Sequence, residues 1–148
     1  MRRGQVRFKA LWGVAMNRRA ITTLCAITTA LFLLVIGIIH GIANVYGLWR
    51  AIERGEIPVR FRISVLANAA FSGAGLSILG LIVLLVLPGL RSASRQARRV
   101  ATAIGIFVSG VGLVSYVLVP TKPLVLIFLF FGALLAAPLL IWRDSSTS

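Results

Sequence analysis

The sequence predicts an all-α integral membrane protein, a four-helix bundle, from three observations: its apolar composition, four long runs without charge, and the placement of its basic residues. Hydrophobic residues make up 59% of the 148, and mean hydropathy is +0.98, well above the roughly 45–50% apolar share of soluble domains. A hydrocarbon core about 30 Å thick takes about 20 apolar residues per helix. Four runs of about that length or more contain no Asp, Glu, Lys or Arg: 21–48, 63–87, 100–119 and 124–142. Backbone groups in lipid must be satisfied within a helix or a closed barrel, and these runs lack the strict alternation of barrel strands. The chain therefore reads as a single membrane domain over 1–148, with a basic segment at 1–20 before the first span and a polar tail at 143–148.

The opening segment carries Arg2, Arg3, Arg7, Lys9, Arg18 and Arg19. On a helix Phe8, Leu11, Trp12 and Ala15 fall at i, i+3, i+4 and i+7, which makes 1–20 an amphipathic segment suited to the membrane interface. The apolar run that follows is about twice the 7–15 residues of a cleavable signal core and continues through Tyr46 and Trp49, so it is expected to be a retained anchor. The Arg-rich, acid-free start also resembles a mitochondrial presequence, but it has no Ser, and a bacterial inner membrane is the favoured location. The first helix is expected to stop near Gly55, with Arg50 and Glu53 paired at i, i+3, and to lead into the mixed-charge loop RAIERGEIPVRFR.

Pro88-Gly89 is expected to close the second span, because proline lacks an N–H donor and clashes with the preceding turn. The loop RSASRQARR, with Arg91, Arg95, Arg98 and Arg99, then leads to the third span. Pro120-Thr-Lys-Pro123 is short enough to force an antiparallel hairpin with the fourth, in which Pro138 predicts a kink.

The net charge of +13 could signal nucleic acid, but every Lys and Arg lies between or outside the spans. Placing both termini in the cytoplasm puts eleven of the 16 basic residues inside, against five (Arg50, Arg54, Arg60, Arg62 and Lys122) outside, as the positive-inside rule favours. The N-terminal basic residues together with Arg91, Arg95, Arg98 and Arg99 would then contact anionic headgroups. No nucleic-acid partner is expected.

Candidate functional residues are polar or small groups inside the spans. His40 and Asn44 share a face of the first helix and adjoin a Gly37-xxx-Gly41 pair, a spacing that admits a second helix closely. Counting about 20 residues from Arg19 puts His40 near the far interface, where hydrogen bonding to water or another helix competes with a role lining an ion or substrate path, or holding a metal with a partner chain. Ser64, Asn68, Ser72 and Gly75 form a stripe on the second helix, and Gly105, Ser109, Gly112 and Tyr116 one on the third. Ala69-xxx-Gly73-xxx-Ser77 and Gly132-xxx-Ala136 add further small-residue seams. So many close-packing surfaces predict association with copies of the chain or with other membrane helices.

Absences narrow the chemistry. A lone cysteine, Cys25, excludes dithiol oxidoreduction. The three acids all lie outside the spans, whereas proton-coupled carriers place a carboxylate within them. There is no nucleophilic triad, metal cluster or phosphate loop, so neither catalysis nor a cofactor is expected. The favoured role is a non-catalytic accessory, assembly or scaffold subunit. A small oligomeric channel or carrier using His40, Asn44, Asn68 and Ser109 is the alternative, and an enzyme acting on lipid or quinone the third.

Overall fold

A computed structural model describes the backbone of residues 2–121 and 125–141 and the side chains of residues 18–121 and 125–141. Every regular element among these residues is helical: α1 (Arg2–Glu53), a single 3₁₀ turn (Val59–Phe61), α2 (Arg62–Arg91), α3 (Arg95–Leu118) and α4 (Leu126–Ile141). Three stretches, Arg18–Glu53, Val59–Arg91 and Arg95–Leu118, are long and apolar enough to cross a membrane. The described part of α4 has 16 residues, about 24 Å of helix. Leu124 and Trp142, the ends of the fourth expected span, lie outside the described residues, as do Lys122 and the tail from Arg143.

The sequence divides 1–20 from the first span, but the backbone does not. α1 is one helix of 52 residues, because Arg18, Arg19 and Ala20 are good helix formers and no breaker follows them before Gly37. The side chains of Arg2, Arg3, Arg7 and Lys9 are outside the described set. α1 ends at Gly55, whose φ of +75° suits a residue without Cβ. Gly55 N–H bonds Ile52 O at 3.0 Å and Glu56 N–H bonds Ala51 O at 3.0 Å, the paired bonds of a Schellman stop. Arg50 and Glu53 thus sit on the helix, 4.0 Å apart, and the expected thirteen-residue loop is shortened from both ends.

Pro88 does not close α2; it lies inside the helix, which runs on to Arg91. Membrane-type helices tolerate such a proline where the surroundings take up the freed carbonyl. The stop comes at Ala93, which adopts a φ of 59°. Ala93 N–H bonds Leu90 O at 3.2 Å and Ser94 N–H bonds Gly89 O at 2.8 Å, again the Schellman pair. Ser94 then caps α3, its hydroxyl oxygen accepting from Ala97 N–H at 3.5 Å. Only Ser92, Ala93 and Ser94 separate the helices, so Arg91, Arg95, Arg98 and Arg99, expected in a loop, instead occupy helix ends. α3 stops two residues before Pro120, since the residue preceding a proline is driven out of helical conformation.

The chain forms two compact units, residues 30–82 and residues 1–29 with 83–148. In the first, the later part of α1 and the earlier part of α2 meet through glycines. In the second, α3 and α4 pack together along a stripe in which Ala97, Ala101, Ile104, Val108, Leu135 and Leu139 are buried. Large apolar side chains are exposed in each unit: Phe71 is 75% exposed in the first, and Leu85 and Leu118 are 70% and 74% exposed in the second.

Candidate functional site

In residues 30–82 the two helices approach until side chains have no room. A Cβ on Gly37 would lie 2.5 Å from Ser77 Oγ and 2.7 Å from Gly73 O, and one on Gly80 would lie 2.6 Å from Ala30 O. Gly73 is tightest, its Cβ falling on Gly41 Cα. Ser77 donates to Gly73 O in its own helix at 3.1 Å, and Leu34 O lies across the seam at 3.3 Å. Ala69, one turn before Gly73, is buried.

His40 and Asn44 lie beside this seam, both half-buried, and bond to each other: Asn44 Nδ2 donates to His40 Nε2 at 2.7 Å. The other polar candidates are placed differently. Ser64, Asn68, Ser72 and Tyr116 are exposed. Ser64 donates back to Phe61 O at 3.0 Å, while the Asn68 amide and Ser72 hydroxyl have no hydrogen-bond partner among the described residues. Ser109 donates across to Leu129 O of α4 at 3.4 Å. No described hydrogen bond joins any two of these candidates other than His40 and Asn44.

The α3 and α4 seam is also built on small residues. A Cβ on Gly105 would lie 2.8 Å from Gly132 O and 2.9 Å from Ala136 Cβ; one on Gly112 would strike Leu129 N, and one on Gly132 would strike Ser109. The partners along α4 fall in number as those along α3 rise, so the helices are antiparallel. Thr29 of α1, fully buried, donates to Phe131 O of α4 at 3.2 Å.

An apolar groove of about 560 Å³ runs along the outside of the α1 and α2 seam, from Gly37 and Ser77 to Tyr46 and Trp49. Its aromatic end is dressed with arginine. Arg50 lies over the Tyr46 ring at 5.4 Å and donates from Nε to its hydroxyl at 3.1 Å. Arg62 lies over the Trp49 ring at 4.9 Å. The Trp49 indole N–H donates to Glu53 Oε1 at 2.8 Å. Glu56 is hydrogen-bonded by Arg54, which holds its carboxyl below the usual range. Both described acids are therefore engaged by Arg50, Trp49 and Arg54, whereas Arg62 has no carboxylate. Its Nε is shut off from solvent without any acceptor. In the other unit a recess of about 440 Å³ is lined by Thr23, Ile27, Arg19 and Arg91.

Thr29, Gly80 and the Arg62–Trp49 stack were not singled out from the sequence. Gly80 could have been, since Gly73, Ser77 and Gly80 fall at i, i+4 and i+7. Thr29 and Arg62 could not, because their partners depend on how distant segments meet. Among the described residues no three of His, Cys, Asp and Glu gather to hold a metal ion. Comparison with family models, curated proteins and solved structures finds no match to this chain.

Proposed function

We propose that the protein is a small four-span membrane protein with both termini in the cytoplasm, seated in a bacterial inner membrane. It works without catalysis, as an assembly or scaffold subunit that packs against other membrane helices. The observation that carries this reading is the Asn68 amide, exposed on a helix of membrane-spanning length with no partner among the described residues. An amide unpaired in hydrocarbon costs several kcal/mol, on the order of 4–8 by transfer to an alkane. A polar side chain on a neighbouring helix removes that cost, and Ser64 and Ser72, one turn to either side, widen the same contact face. The orientation is supported by Arg19 and Arg91, from two basic clusters assigned to the cytoplasm, lining one recess. Arg95 and Arg99, in the first turns of α3, add to the basic surface offered to anionic headgroups.

A photocrosslinking residue placed at Asn68 in native membranes tests the role. Capture of a different membrane protein, with no solute flux through liposomes holding the purified chain, is the expected result. Capture of only further copies of the chain, with flux abolished by Asn68→Leu, would replace the subunit reading with a channel. A fluorescent-protein fusion at Ser148 should fluoresce; a dark fusion that is made and inserted would reverse the orientation.

A further inference from the structure

We propose that the groove between α1 and α2 is a binding site for one anionic phospholipid, its acyl chain lying along the groove and its phosphate held by Arg62. The inference needs α1 and α2 to lie in a bilayer and does not depend on the assembly role.

The groove has the chemistry of a hydrocarbon chain along its length. Gly37, Gly41, Ala70, Gly73 and Ala74 line it with little or no side chain, and Ile42 and Val45 complete an apolar wall. The absent side chains make the channel: where two helices touch through glycine, nothing projects to fill the furrow outside the contact. From Gly37 to Trp49 is twelve residues of helix, about 18 Å. One leaflet of a hydrocarbon core about 30 Å thick is about 15 Å deep, so the furrow is as long as one leaflet is thick.

The end of the groove has the chemistry of an interface. Tyr46 and Trp49 line it there, and both residue types favour headgroup depth. Arg62 is half-buried and stacked on Trp49; its Nε is closed to solvent and has no partner among the described residues, and no hydrogen bond to its two terminal nitrogens, the ones a phosphate would meet, is described. A guanidinium is costly to leave unpaired, and its planar fork matches a phosphate. The two nearby acids do not serve it: Glu53 takes the Trp49 indole and lies 4.0 Å from Arg50, and Glu56 is paired with Arg54. The anion that a bilayer supplies at this depth, attached to a chain that fits the furrow, is a phospholipid phosphate. A net anionic lipid is favoured over a zwitterionic one because the latter's choline would meet Arg50 and Arg62, which lie over Tyr46 and Trp49.

The test uses the full chain in nanodiscs with Trp12→Phe and Trp142→Phe, leaving Trp49 as the sole tryptophan. Acyl-brominated phosphatidylglycerol or phosphatidylcholine is added at equal mole fraction, and quenching of Trp49 is read. Brominated phosphatidylglycerol should compete for the Trp49 site about fivefold better, the effect of roughly one interfacial basic residue. Arg62→Gln should bring the two lipids to parity, while Arg62→Lys keeps part of the preference. Ala74→Leu, which fills the furrow and leaves the arginines in place, should weaken quenching by both lipids. Equal quenching in the parent protein, a preference unchanged by Arg62→Gln, or no quenching by either lipid would each overturn the proposal. So would crosslinking of Ala74→Cys between two chains with Trp49 shielded, which would make the occupant a second copy.

Discussion

A side chain on Gly73 would be driven onto the backbone of Gly41, whereas one on Gly41 would stop 3.4 Å from Gly73 Cα, at ordinary contact distance. The two glycines face each other but are not equivalent. Gly73→Ala must push the helices apart, and overpacking of this kind costs about 1–3 kcal/mol. Gly41→Ala meets no such obstruction and gains the helix propensity that glycine lacks, about 1 kcal/mol. Titration with a denaturing detergent, followed by circular dichroism, should show a clearly lowered midpoint for Gly73→Ala and an unchanged or raised one for Gly41→Ala. The reverse order would mean that the seam is not formed as described.

Ala93 offers the opposite opportunity. It holds a φ of 59° at the end of α2, where a Cβ costs about 1–2 kcal/mol. Glycine removes that strain but gives back about 0.4–1 kcal/mol through the freer unfolded chain. Since Ala93 is exposed, no packing is lost, and Ala93→Gly should stabilise the protein by about 0.5–1 kcal/mol. A destabilised variant in the same detergent titration would count against the left-handed stop.

The helices were legible because each is a long apolar run, and the stop at Gly55 because glycine there has one obvious use. The stop at Ala93 was not, since alanine gives no warning of a left-handed conformation and the nearby Pro88-Gly89 advertised a stop that the helix ignores. The glycine seams could be read as periodic stripes, but not which stripe meets which. Gly37 and Gly41 pair with Gly73 and Ser77, whereas the equally regular Ser64, Asn68 and Ser72 face outward; spacing alone treats the two faces alike. Arg62 was visible only as one basic residue in a loop. Its stacking on Trp49 requires the turn between them, and loop geometry leaves little trace in composition.

The Arg54–Glu56 pair sets a pH dependence that is local. The hydrogen bond from Arg54 lowers the Glu56 carboxyl below its ordinary value. A depressed acid contributes stability that is present above its unfolded value and is lost as pH falls through the lower folded one. Both groups are fully exposed, where solvent and salt screen the pair. Nuclear magnetic resonance titration should find Glu56 ionising below the usual carboxylate range, and Arg54→Gln should return it there. The unfolding midpoint at neutral pH should be the same for Glu56→Gln as for the parent; a large loss would show that the pair holds the turn.

Thr29 gives the sharpest test of how much a buried hydroxyl contributes between these helices. It is fully buried and bonds a carbonyl 102 residues away, which makes it look indispensable. Two facts argue for a small effect. Valine has nearly the same shape, so Thr29→Val leaves no cavity, and Phe131 O keeps its place in the hydrogen-bond ladder of α4 itself. Hydrogen bonds between membrane helices average about 0.6 kcal/mol and rarely exceed about 1.7. Thr29→Val should therefore cost about 0.6 kcal/mol, while Thr29→Leu, which adds volume where none is free, should cost about 1–3. If valine proved the more damaging of the two, the hydroxyl rather than the packing would be what holds α1 against α4.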